Sequence, residues 1–244
     1  DIPVHTPESV NSPDWIARIR SWAPDLILSF YYRSMIHEDI LAVPRLGAFN
    51  MHGSLLPKYR GRAPINWAVL HGEKETGVTL HHMVKRADAG DIVDQEAVPV
   101  GTEDTARDVF SKCVRAGRVV LERQLDALTA GTAPRHRQDE SQATYFGGRR
   151  PEDGRIDWTA SAESIYNLIR AVTNPYPGAF TDVDGKRMFI WWAKPAVGPA
   201  GSPGQVLSVD PLIVSTGSGS IEVVNFEWDD EDSHELMIGQ VLGM

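Results

Sequence analysis

The sequence predicts an α/β domain followed by a smaller β-rich one, and three observations carry that expectation. Up to about residue 130, short apolar runs alternate with amphipathic stretches of helical period. From Thr132-Ala133-Pro134 to Arg155 the chain turns polar and loses its periodicity. Beyond Arg155, one helical stretch precedes several short β-like runs punctuated by Gly and Pro. The division expected is a catalytic domain over 1–138, a linker over 139–154 and a β-rich domain over 155–244.

Taken in order, Ser12-Pro13 opens a helix with Trp15, Ile16, Ile19 and Trp22 on one side. Asp25 to Tyr31 reads as a buried strand, and a second helix spans about Ser34 to Leu41. Leu46-Gly47-Ala48-Phe49-Asn50-Met51-His52 is an apolar strand ending in polar side chains and running into a loop rich in Gly, Pro and Arg. Pro64 starts the next helix. Two β-like runs, Gly77–Val84 and Ile92–Val98, flank a turn containing Asp88-Ala89-Gly90, where Gly90 would allow a sharp bend. Ala106, Val109, Phe110, Cys113, Gly117, Val120 and Leu121 form the apolar face of a long helix that stops before Gly131. A helix over Ser161–Val172 follows, then strands near 179–183, 188–193, 205–209, 212–215 and 221–226 that could close into a small barrel.

Composition narrows the function. The 244 residues are 42% hydrophobic, enough for one large or two modest cores, and no stretch approaches the ~20 apolar residues of a membrane span. A single cysteine excludes an intrachain disulfide and fits a reducing, cytoplasmic setting; Cys113 reads as core rather than nucleophile. Acidic residues outnumber basic ones by 33 to 24, a net charge of -9 that argues against broad nucleic-acid binding. His81 and His82 are neighbours on a strand and point to opposite faces, and no Cys/His spacing matches a zinc site, so no metal is expected.

Chemistry concentrates in Asn50-Met51-His52 and Asp88. On a strand, Asn50 and His52 project from one face while Phe49 and Met51 point the other way, so one cleft can hold both polar groups. An imidazole exchanges a proton near neutrality and an amide only donates or accepts hydrogen bonds. The natural division gives proton transfer to His52 and oxyanion stabilisation to Asn50. Asp88 is the carboxylate placed to orient the histidine and to favour its charged form. The basic loop Lys58-Tyr59-Arg60-Gly61-Arg62 offers cations suited to a diphosphate or to another anionic ligand, with Lys58, Tyr59 and Arg60 the candidate substrate contacts.

The ordered series Asn-x-His-x-Ser-Leu-Leu-Pro over 50–57, Arg60-Gly61 and Asp88-Ala89-Gly90 resembles the signature of the folate-dependent formyltransferase family. The resemblance continues through Tyr145–Arg150, Ile169–Val172 and Pro175–Phe180 and so covers nearly the whole chain. It implies a Rossmann-like parallel-sheet domain and an OB-like C-terminal one. It also implies 10-formyltetrahydrofolate as formyl donor, and the roles assigned above to His52, Asn50 and Asp88. Against the folate it places Ser34, Met35, Ile36, Arg62 and the run Val84-Lys85-Arg86-Ala87-Asp88. Ordinary helix packing is the competing reading of Met35 and Ile36.

Gly53 after the histidine, and Arg86-Ala87-Asp88-Ala89-Gly90 where the tRNA-modifying branch has Gly-Leu-Asp-Thr-Gly, favour the branch that formylates UDP-amino-sugars, UDP-4-amino-4-deoxy-L-arabinose in particular. Formylation of methionyl-tRNA, or folate or nucleotide binding without turnover, are the alternatives. Family members carry a further strand-helix-strand unit ahead of the position of Asp1, so the chain is expected to be N-terminally incomplete, and a fused dehydrogenase/decarboxylase domain is a possible neighbour in the natural protein.

Overall fold

The computed structural model describes residues 2–198, 201–230 and 234–243. The chain packs as two compact units, one of residues 1–64, 76–98 and 112–146, the other of 65–75, 99–111 and 147–244. The elements run α1 (Pro13–Trp22), β1 (Ile27–Phe30), α2 (Glu38–Leu41), β2 (Ala48–His52), β3 (Arg60–Gly61), α3 (Pro64–Leu70), β4 (Glu75–His82), β5 (Ile92–Pro99), α4 (Ala106–Ala130), β6 (Tyr145–Phe146), α5 (Ala162–Val172), β7 (Ala179–Val183), β8 (Lys186–Ala196), β9 (Val206–Val209), β10 (Leu212–Ser215) and β11 (Ser220–Trp228).

In the first unit the sheet order is β1-β2-β4-β5. β1 and β2 are the parallel pair, with Ser29 opposite Asn50. β4 joins antiparallel, which sets His81 opposite Asn50 and Thr79 opposite His52. The sheet is therefore mixed: an apolar pattern marks a strand as buried but does not encode its direction. Phe49, Met51, Val78 and Leu80 are buried, as are Cys113, Ala116, Val120 and Leu128 of α4. Gly117 of α4 faces Met51 of β2. Phe110, expected on the buried face of α4, is 37% exposed.

Two helices differ from expectation. α2 starts only after His37, whose ring accepts the Asp39 N–H as its cap, so Ser34, Met35 and Ile36 precede the helix. α1 starts where expected, but none of its residues is fully buried and Trp22 is 50% exposed.

The stretch expected to be an irregular linker contains structure. A 3-10 turn spans Glu140–Gln142, and β6 pairs parallel with β3, Arg60 opposite Tyr145 and Gly61 opposite Phe146. A two-residue strand carries no period for sequence reasoning to detect.

In the second unit five antiparallel strands are ordered β7-β8-β11-β10-β9, with β7 and β9 at the ends and no ladder between those two among the described residues. Ile165 and Ile169 of α5 are buried, as are Met188, Ile190, Val214 and Ile221 of the sheet. The segments flanking α3 and α4 are tied to α5 by polar bonds. The Asn66 amide donates to the Ala171 carbonyl at 2.7 Å, the Tyr166 hydroxyl to that of Thr102 at 2.9 Å and the Arg170 guanidinium to that of Asp104 at 2.7 Å.

Candidate active site

Strand alternation brings Asn50 and His52 to one face of β2, and the antiparallel register adds His81 from β4. Asp88 sits on the β4–β5 connection with φ +53°, a left-handed conformation that Asp tolerates better than most residues. Gly90 follows, and a Cβ there would lie 1.8 Å from the His82 carbonyl oxygen. Close approach, rather than the sharp bend expected, is what requires glycine at that position.

The four side chains form one cluster. Asp88 Oδ1 lies 3.5 Å from His52 Nδ1 and 3.4 Å from His81 Nε2, while Oδ2 accepts the Gly61 backbone N–H at 2.9 Å. Asn50 Nδ2 is 3.3 Å from His81 Nε2. Carbonyl oxygens can only accept, so they fix the tautomers: His52 Nε2–H donates to Tyr59 O at 2.8 Å and His81 Nδ1–H to His82 O at 2.9 Å. In a neutral His52 the unprotonated nitrogen is then Nδ1, the one beside Asp88.

Burial sets the charge states. His52 is 6% exposed, and loss of hydration pushes its pKa below the ordinary 6.5. The Asp88 charge and the Tyr59 carbonyl pull it up, as the sequence suggested for Asp88, but burial outweighs them and the resting imidazole is neutral at pH 7. For Asp88 the balance is reversed. Burial raises its pKa, but protonation of His81 or His52 beside it and the Gly61 N–H favour the carboxylate and hold the carboxyl below its usual range.

The basic loop is only partly available to an anion. Lys58 is exposed, whereas Tyr59 is buried and stacks on Phe146 at 5.1 Å. Arg60 does not offer a free cation, because it is fully buried and its guanidinium is taken up by Gln138, Glu140 and Tyr145. The carboxylate that allows this burial lies 80 residues on, out of reach of any local motif.

The residues expected against a folate are more open. Met35 is 55% and Val84 40% exposed, which removes core packing as the account of Met35, and Ile36 is half-buried. Ser34, Lys85 and Arg86 are exposed and Ala87 is half-buried. The two segments are linked by Lys85 Nζ to Glu38 Oε2 at 3.2 Å, and Arg62 donates to the Arg33 carbonyl at 3.1 Å. Asn11 holds the first from behind, donating to Met35 O and accepting the His37 N–H. His81 and Gln138 were not singled out in the sequence. The alternation of β4 put His81 on a face, but only the register showed that this was the face of Asn50.

Such a cluster supplies a neutral base, a carboxylate facing the proton that base would gain, and an amide with a second N–H beyond the one given to His81. Residues 4–125 match the formyl transferase family and residues 149–236 the formyl transferase C-terminal domain. Among solved structures, HypX from Aquifex aeolicus in complex with tetrahydrofolic acid aligns with a TM-score of 0.69 at 21% identity, over 90% of this chain and 39% of that one. This chain thus spans less than half of HypX. The N-formyltransferase of Helicobacter canadensis, in complex with folinic acid and dTDP-3-aminofucose, aligns with a TM-score of 0.60 at 25% identity, over 72% of this chain and 65% of that one. WlaRD, a sugar 3N-formyl transferase, aligns with a TM-score of 0.65 at 22% identity, over 87% and 76%. With half of its residues matched by the first family and most of the rest by its C-terminal domain, the chain belongs to the formyl transferase family.

Proposed function

We propose that this protein transfers a formyl group from 10-formyltetrahydrofolate to the amine of a nucleotide-linked amino sugar. The observation that carries the reading is the cluster of Asn50, His52 and Asp88, joined through His81, in a formyl transferase chain. The ligands of related structures, folinic acid with dTDP-3-aminofucose in one and dTDP with 5-N-formyl-tetrahydrofolate in another, support both donor and acceptor class.

The sugar amine attacks the formyl carbon, and negative charge grows on the formyl oxygen as the C–N bond forms. The free N–H of Asn50 meets that charge. Neutral His52 takes the proton that the amine loses, and the imidazolium so formed faces Asp88. Collapse breaks the bond to N10 of the folate, and His52 returns the proton to N10. Ser34, Met35, Ile36, Arg62 and the run Val84–Asp88 are assigned to the folate, Lys58 to the nucleotide phosphates. The buried Arg60 is left out of substrate binding.

Gly53 and the Arg86–Gly90 run favour UDP-4-amino-4-deoxy-L-arabinose as acceptor, the reaction of the formyltransferase domain of the bifunctional polymyxin-resistance protein in lipid A modification. Turnover with that sugar, with a dTDP-3-amino sugar and with initiator methionyl-tRNA, each in parallel, tests the reading. Formylation of a sugar is expected; formylation of tRNA alone would overturn it.

A further inference from the structure

We propose that Gln138 is a positioning residue for the active site, holding the backbone of Asp88 and Gly90 so that the Asp88 carboxylate meets His52. The inference rests on the role given to Asp88 above.

Gln138 Nε2 donates to Asp88 O at 2.8 Å and to Gly90 O at 2.6 Å. Its Oε1 accepts Arg60 Nε at 3.0 Å and Nη2 at 2.6 Å. A guanidinium only donates and a carbonyl only accepts, so the orientation of the amide is unambiguous and all four of its hydrogen-bonding positions are filled. The guanidinium is equally saturated: Nη1 donates to Tyr145 Oη and Glu140 Oε2, and Nη2 also to Glu140 Oε1. A buried cation with five satisfied N–H groups is a rigid post, and Gln138 is the arm from that post to the β4–β5 connection.

The circuit closes on the catalytic strand. Arg60 N donates to Thr144 O, Gly61 N donates to Asp88 Oδ2, and Tyr59, whose carbonyl accepts His52, donates its own N–H to Thr144 Oγ1. Residues 138–146 therefore clamp both loops that reach His52, and only through Gln138 do they touch the carbonyls on either side of Ala89. Asp88 occupies a left-handed backbone conformation, and its carbonyl is one of the two that Gln138 holds. The charged and titratable groups around this arm are Arg60, Glu140, Tyr145 and Arg86 on one side and Asp88, His52 and His81 on the other.

Gln138→Glu separates positioning from mere bracing. A carboxylate keeps the size and the bonds from Arg60, so the brace survives, but it cannot donate to two carbonyls and repels them. The expected result is a variant that still folds, a folate KM within about threefold and a kcat at least tenfold lower. In the resting protein, NMR titration of the His52 ring in Gln138→Met, which adds no charge to the cluster, should show its midpoint moved down as Asp88 withdraws. That readout needs no turnover, so it stands even if the proposed reaction is wrong. Gln138→Met loses the bonds from Arg60 as well, so only its His52 titration is read, and that reading holds even if Gln138→Glu does not fold. Unchanged kcat and an unchanged His52 titration would overturn the inference.

Discussion

His52 is neutral at rest because burial outweighs its carboxylate, and this has two consequences. If the neutral ring is the working base, the acid limb of the pH profile of kcat/KM falls below 6.5; a limb above 6.5 would contradict it. The second is stability. Unfolded, the ring takes up a proton near pH 6.5, whereas folded it resists, so stability present above that pH is lost as the pH falls through the lower folded value. His82, lowered by burial and by Arg135, acts in the same direction. Urea unfolding at pH 7.5 and 5.5 should show the drop, and His52→Gln should reduce it. Asn50, His52 and Asp88 were legible because their types and spacing carry chemistry. Arg60 was misjudged and Gln138 missed for a common reason: what each does depends on partners dozens of residues away, and a basic loop residue looks alike whether solvated or buried.

Among the elements, those fixed by local chemistry matched expectation best. β7 and β10 have the expected ends, α1 starts after Ser12 and α5 after Ser161, whose hydroxyl accepts the Ser164 N–H at 3.1 Å. Ser161→Ala should cost about 1 kcal/mol in denaturant unfolding, and no measurable loss would show that tertiary packing alone holds that end. What sequence could not supply was pairing. The β3–β6 ladder, two residues long, depends on Gly61, which has φ +102° and where a Cβ would lie 2.2 Å from the Phe146 carbonyl oxygen. Gly61→Ala should therefore destabilise by more than about 2 kcal/mol and also weaken turnover, since the Gly61 N–H holds Asp88. A variant as stable and active as the parent would refute that account of β3.

At the scale of the whole molecule, chain order and packing diverge. The second compact unit recruits residues 65–75 and 99–111, and Arg170, only 4% exposed, depends on the carbonyls of Gly101 and Asp104. A fragment of residues 147–244 loses those bonds together with the packing of residues 65–75 and 99–111 and should melt well below the intact chain; equal midpoints would contradict this. The sequence suggested a linker over 139–154 because the chain turns polar after Thr132-Ala133-Pro134, but not these returns of the chain, which leave no compositional trace. No helix among the described residues is long and apolar enough to cross a membrane. The most direct test of the proposed activity is formyl transfer from 10-formyltetrahydrofolate to UDP-4-amino-4-deoxy-L-arabinose by the parent chain and by His52→Ala, each checked for folding by circular dichroism. Sugar-dependent turnover that falls ~100- to 10,000-fold in a folded variant is the predicted result; turnover that is indifferent to His52 would contradict the account.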